Sequence, residues 1–340
     1  MTKILITGCG GYIGSVAVDL FLSKGYEVIG LDNFQTGYKR PIEILQERYG
    51  DKFKFYEADL KSNISPIFNK ETRSGGKAPF DGVVHYAASC VVDESMREPF
   101  KYFNNNVSGT ANLLSTMDKF GIKNIIFSST CAVYGEAEYY PIDEKHPLKP
   151  TTPYGASKKM AEEVIQWYGK LKKFNYIILR YFNVCGATND GMIGDSKKPS
   201  TLLVQNVVRG ALGIEKFYLT CPEVDTPDKT PIRDYIDVVD LNEAHLKALE
   251  YLISTGKNEI INLGTGTGSS VLEVVNQVKK FTGVEIPIEK ANTRLGDDAK
   301  KIADIKKAKE VLGWEPKRTI KDSVKSLLIW YKNHPQGWEK

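Results

Sequence analysis

Residues 3–14 read KILITGCGGYIG. A short run of apolar and β-branched residues ends at Gly8, and Gly8, Gly11 and Gly14 lead straight into a helical pattern, YIGSVAVDLFLSKG (12–25). A strand that turns through glycines into a helix must cross over to a parallel neighbour, because a tight hairpin is not available to it. EVIGLD (27–32) supplies that neighbour. The alternation then continues. FKFYEAD (53–59), DGVVHYAA (81–88), NIIFSST (124–130) and NYIILRYF (175–182) read as strands, and 100–121 and 153–171 as long helices. Strands that are apolar along their length need cover on both faces. The expected class is α/β, a Rossmann-type doubly wound parallel sheet with a smaller α/β substrate-binding lobe.

After residue 182 the pattern loosens. Segments 183–200 and 221–234 are long and rich in Gly, Pro and Asp, and loops of this length are usually functional. IINLGTG (260–266) reads as a strand and turn, 270–283 and 323–337 as helices, and the Gly-rich 69–79 segment as a polar, mobile loop. The expected division is 1–182 with 234–262 as the sheet domain, and 183–233 with 263–340 as the second lobe. A chain of 340 residues is long enough for both.

The net charge of +4 is too small to imply a nucleic-acid partner, and no basic block carries interleaved aromatics. The lysines at 197–198, 300–301 and 306–309 have acidic neighbours and read as solvated faces. No apolar run approaches a membrane span, and no secretory signal is evident at the start. Five scattered cysteines without a CxxC point to reduced thiols and a cytoplasmic setting, with Cys9, Cys90 and Cys131 near strand ends. The four histidines have no ligand-like spacing to acids or cysteines, so no metal is expected.

The glycine spacing lets the backbone approach a pyrophosphate at a helix N-terminus, so Gly8, Gly11 and Gly14 predict a dinucleotide site. Asp32 ends the second strand, where an acid accepts ribose hydroxyls and repels a 2′-phosphate; that favours NAD over NADP. Asp59 would face the adenine edge or cap a helix. Tyr154 and Lys158, four apart, share a helix face. A cation beside a phenol favours the phenolate and makes a general base. Thr130, at the end of the fifth strand, could hydrogen-bond a substrate oxygen while Tyr154 moves its proton.

TGCGGYIG, NNNVSGT, SSTCAVYG, YGASK and RYFNVCGA, in this order, resemble the extended short-chain dehydrogenase/reductase family. TPIRDYIDVVDLNEAH (230–245), INLGTGTGSSVLEVV (261–275), RLGD (294–297) and HPQG (334–337) resemble its members that epimerise UDP-sugars at C4. The resemblance runs over nearly the whole chain. It implies interconversion of UDP-glucose and UDP-galactose through a 4-keto sugar, with NAD tightly bound. It also implies a homodimer formed by the helices at 100–121 and 153–171. Its nucleotide loop falls on Gly8, Gly11, Tyr12, Ile13 and Gly14, and further cofactor contacts on Asp32, Asn33, Asp59, Leu60, Ala87, Asn105 and Lys158. Thr130 and Tyr154 would meet the sugar, Asn183 the sugar nucleotide, and Arg233 and Arg294 its phosphates, with Asp297 beside them.

The chain also departs from the family pattern. Cys90 stands where some members carry lysine, Leu202 where asparagine or histidine is frequent, and Thr220 where an aromatic residue meets uracil. Lys301 occupies a position whose size the family links to acceptance of N-acetyl sugars, and a lysine there implies little room. A 4,6-dehydratase would need an acid pair where this chain reads Thr130-Cys131-Ala132. Other UDP-sugars, pentoses or uronic acids, stay open as substrates. So does a non-catalytic NAD-binding sensor, since fold does not fix function.

Overall fold

The computed structural model describes residues 1–198, 200–290 and 299–338. Its centre is a sheet of seven parallel strands: β1 (Lys3–Thr7), β2 (Glu27–Asp32), β3 (Phe53–Glu57), β4 (Gly82–His85), β5 (Asn124–Thr130), β6 (Asn175–Tyr181) and the strand Glu259–Leu263. From one edge the order is Glu259–Leu263, β6, β5, β4, β1, β2, β3. The chain therefore winds outward in both directions from β1, and ligands of such sheets bind at the carboxyl ends beside that switch.

β1 shows why the sheet lies between two layers. Ile4 and Ile6 point to one face, where they join Val16 and Phe21 of the helix Tyr12–Ser23 and Leu241 and Leu249 of the helix Val238–Thr255. Leu5, between them, points to the other face, toward Leu113 and Met117 of Gly109–Lys119 and Ala161 and Ile165 of Pro153–Lys172. Each buried Val, Leu, Ile, Phe or Met among them contributes about 1.5–3 kcal/mol.

The strands and the helix at 153–172 lie where the sequence pattern puts them. Other elements differ. The helix expected over 100–121 is Pro99–Tyr102, a wide π-type turn over Phe103–Ser108, and Gly109–Lys119. Such turns often mark functional sites. The helices Arg40–Tyr49, Leu203–Ala211 and Val238–Thr255 went unread. Val238–Thr255 starts on Asp237, whose carboxylate accepts the Val239 N–H, and ends at Gly256 in the left-handed region. The 69–79 loop is tied down: Arg73 forks onto both carboxylate oxygens of Asp81 at 2.9 and 2.8 Å.

The long loops after residue 182 contain short strands. Asn183–Cys185 pairs with Tyr235–Asp237, and Ile232–Arg233 lies between Ser269–Ser270 and Lys300–Lys301. Val204, Val208, Val274, Val278, Leu327 and Trp330 form a separate apolar cluster under these pieces.

Candidate active site

A cavity of about 570 Å³ opens at the carboxyl ends of the strands, between the sheet and the later segments. At its floor, Gly8 takes φ +77, and a Cβ there would meet the Ala87 backbone at 2.6 Å. A Cβ on Gly14 would collide with the Gly8 carbonyl oxygen. These two contacts are why the strand can turn into its helix with bare backbone facing the cavity. Asp32, 8% exposed, accepts the Gly10 N–H at 2.9 Å and the Phe34 N–H at 2.7 Å. Burial pushes its carboxyl up, and these N–H groups pull it partly back. An ionised carboxylate has about four acceptor positions, so two backbone donors leave room for hydroxyls.

Next to it, the Asn33 amide donates to Asp59 at 3.1 Å and the Lys61 N–H to the same carboxylate at 2.8 Å. Burial opposes ionisation of Asp59, but these donors win and hold its carboxyl below the usual value. Behind the cavity, Asn106 in the π-type turn accepts the Ser89 N–H at 2.8 Å and donates to Ser157 at 3.0 Å. This joins the turn to the helix that carries Tyr154. Asn105 lines the cavity and donates to Ser89 Oγ at 3.2 Å.

Thr152 caps that helix by accepting the Gly155 N–H at 3.2 Å. Tyr154 and Lys158, both buried, line the cavity with Thr130. Thr130 Oγ1 also accepts the Ala132 N–H at 3.2 Å, which fixes the turn after β5. The two serines before it face elsewhere. Ser128 meets His245 at 3.2 Å, and Ser129 donates to Glu162, itself paired with buried Arg180.

The ionisation of the pair differs from the sequence expectation. Burial pushes the Tyr154 phenol well above its ordinary value, with Tyr181 and Cys90 adding to the rise and hydrogen bonding to Thr130 opposing it. Lys158 does not offset this. Burial lowers it to about 8, and its ammonium lies 4.2 Å from the centre of the Phe127 ring. Shared helix face and charge are both present, but desolvation is the larger effect.

All the remaining sequence-derived site residues inside the described segments line the same cavity: Gly8, Gly11, Tyr12, Ile13, Gly14, Leu60, Ala87, Asn183 and Arg233. Arg294 and Asp297 lie outside the described residues. Arg233 and Lys301 are register partners on adjacent strands and both face the cavity. The neighbouring Asp234 is fully buried and accepts N–H groups from Thr265, Gly266 and Ala303, so its carboxylate shapes the 264–266 turn. Leu202, Thr220, Cys90 and Cys131 line the cavity as well. The reading of 197–198 and 300–301 as solvated faces is corrected: Lys197 and Lys301 turn into the cavity, while Lys198 is exposed. Charge counting along the chain cannot detect a loop that folds back over a sheet edge.

This sheet order, glycine turn and Tyr154–Lys158 helix define a class. The family model described as GDP-mannose 4,6 dehydratase matches residues 5–327, and the chain belongs to this extended short-chain dehydrogenase/reductase family. It is 39% identical to the UDP-glucose 4-epimerase of Lactobacillus helveticus, covering 99% of each chain. It is 40% identical to UDP-arabinose 4-epimerase 1 of Arabidopsis thaliana over 99% of this chain and 81% of that one. Among solved structures it resembles UDP-glucose 4-epimerase from Bifidobacterium longum in complex with NAD+ and UDP. That match has 35% identity and a TM-score of 0.91, with 99% of this chain and 100% of that one covered.

Proposed function

We propose that the chain is an NAD-dependent nucleotide-sugar 4-epimerase that interconverts UDP-glucose and UDP-galactose. The observation that carries this reading is the meeting of Thr130, Tyr154 and Lys158 in one cavity with the glycine turn and with Asn183 and Arg233. The sheet side would hold the cofactor and the later segments the UDP-sugar.

NAD suits the residues present. The glycine turn, packed at Gly8 and Gly14 too tightly against neighbouring backbone for any Cβ, lines the cavity with bare main chain, and Asp32 and the Asn33–Asp59 pair stand along the adjoining wall. When bound, NAD supplies temporary removal of hydride from sugar C4 and its return. Tyr154 takes the proton of the 4-hydroxyl and later gives it back to the ketone oxygen. Thr130 donates a hydrogen bond to that oxygen in both states. Because Lys158 alone does not offset the rise that burial imposes on Tyr154, the phenol becomes a base only with further positive charge beside it, which the cationic ring of bound NAD would add to that of Lys158, one turn along the same helix. Arg233 offers a planar donor fork that suits a diphosphate. The nucleotide must stay gripped while the 4-keto sugar, flat only at C4, turns its other face.

The family model carries a dehydratase description, but Cys131 and Ala132 follow Thr130 where dehydration needs an acid pair. The similarity to the Arabidopsis protein supports a second reading, a pentose substrate such as UDP-arabinose. The test is to incubate purified protein with UDP-galactose, without added NAD, and separate the products chromatographically. UDP-glucose is expected. No product even with NAD added, alongside conversion of UDP-arabinose, would select the second reading.

A homodimer belongs to the same proposal. Met160, Trp167 and Leu171, on the helix 153–172, are exposed, and so are Met96 and Phe100 on the short helices packed against it. An apolar patch of this kind calls for cover, and light scattering should give about twice the 38.1 kDa chain mass.

A further inference from the structure

Lys197 belongs to the 183–200 segment, in the long stretch that follows β6. Its ammonium nevertheless comes within 2.9 Å of Cys90 Sγ, just beyond β4, and both residues line the cavity with Thr130, Tyr154, Tyr181 and Asn183. Cys90 is near enough to Tyr154, Tyr181 and Lys158 to bear on their ionisation, so this contact stands at the reacting end of the cavity.

An ammonium has three donors, and a thiol is a weak acceptor for one of them. The carboxylate on the same segment, Asp195, is buried and accepts the Lys197 backbone N–H at 3.4 Å and the Ser200 hydroxyl at 3.2 Å. Among the described residues, no carboxylate comes within ion-pairing distance of the Lys197 ammonium. The chain thus places a half-buried cation with donors to spare next to Cys90 and near Tyr181, in the cavity that Tyr154 also lines.

We infer that Lys197 is a sugar-binding residue, donating hydrogen bonds to the ring hydroxyls of the hexose. This rests on the epimerase reading and adds a contact that the motifs did not indicate. A compact ammonium on a four-carbon stem suits a ring that must turn over, because it can keep a donor on the moving hydroxyls where a planar fork would hold one orientation. Cys90 Sγ takes one of the three ammonium donors and so holds the head at this place in the cavity.

The test uses the holoenzyme and two variants, Lys197→Met and the swap Lys197→Met with Cys90→Lys. For Lys197→Met, kcat/KM for UDP-galactose should fall about tenfold to a hundredfold, the range of a hydrogen bond from a charged donor. The Kd for UDP, which lacks the sugar, and the NAD content should hold. The swap returns an ammonium to the same side of the cavity and should recover part of the loss. A kcat/KM within about twofold of the unaltered protein overturns the inference. So does a fall in UDP affinity in step with the loss, because that marks a structural prop. A swap that recovers nothing, with UDP affinity intact, overturns it as well. If the unaltered protein does not turn over UDP-galactose, the function reading fails instead. The inference then stands or falls on whether Lys197→Met weakens UDP-galactose binding relative to UDP in calorimetry.

Discussion

The two walls of the cavity are built by different means. The sheet wall is a matter of local geometry: a strand end, a glycine turn, a helix start, repeated along a parallel sheet. The opposite wall is assembled from stretches that lie 52 and 68 residues apart in the chain. Asn183 sits on a strand paired with Tyr235–Asp237, and Arg233 beside Lys301. Lys197 reaches Cys90 across 107 positions. The first wall can tolerate little change in its backbone and grips an invariant ligand. The second is made of side chains on short strands and loops, and in the proposed reading it sets which sugar is held.

The largest expected effect lies where the walls meet. Tyr154→Phe should lower turnover by about a thousandfold or more while leaving NAD bound; near-normal turnover would remove Tyr154 from the chemistry. Lys158→Met should also cut turnover steeply, by about a hundredfold, but it should not weaken the protein stripped of NAD. Burial lowers the folded Lys158 to about 8, below its ordinary 10.5. Between those values the unfolded chain holds more protons than the folded one, so this group makes stability rise with pH. Below pH 8 the wild-type chain carries the full cost of a buried ammonium. The melting temperature of stripped Lys158→Met should therefore exceed that of the stripped parent below pH 8, and the gain should shrink above it. A gain that grows with pH would contradict the assignment.

On the sheet wall alone, Asp32→Ala should weaken NAD binding by about tenfold to a hundredfold, as measured by calorimetry on stripped protein. Unchanged affinity would mean that the carboxylate only ties the Gly10 and Phe34 N–H groups. On the loop wall the effect should be smaller and selective. Lys301→Ser should raise the ratio of N-acetylhexosamine to hexose turnover by a few-fold, about the scale of pocket trimming, with NAD retained. An unmoved ratio would show that Lys301 does not limit the space.

The same contrast explains what could be read from the chain. All seven strands of the sheet, the glycine turn, Asp32 and the Tyr154–Lys158 helix follow from periodicity and short motifs, because each is fixed by neighbours in sequence. Arg233 and Asn183 came from the family resemblance, and their common cavity from the structure. Lys197 was misread because its environment is created by a distant segment. The ionisation of the Tyr154 phenol was not legible for a related reason. Spacing gives the position of a charge, but burial, which decides here, depends on everything packed around it.

Two phenols join the walls. The Tyr12 hydroxyl, from the glycine turn, donates to the Gly186 carbonyl at 2.5 Å, and the Tyr38 hydroxyl to the Ser196 carbonyl at 2.7 Å. Both acceptors are main-chain atoms, which every amino acid supplies. Side chains over much of the 183–200 stretch can therefore change over evolutionary time without releasing the clasp. New sugar preferences can then arise on one wall while the other keeps its dinucleotide, which gives the lineage room to diversify from a single inherited scaffold.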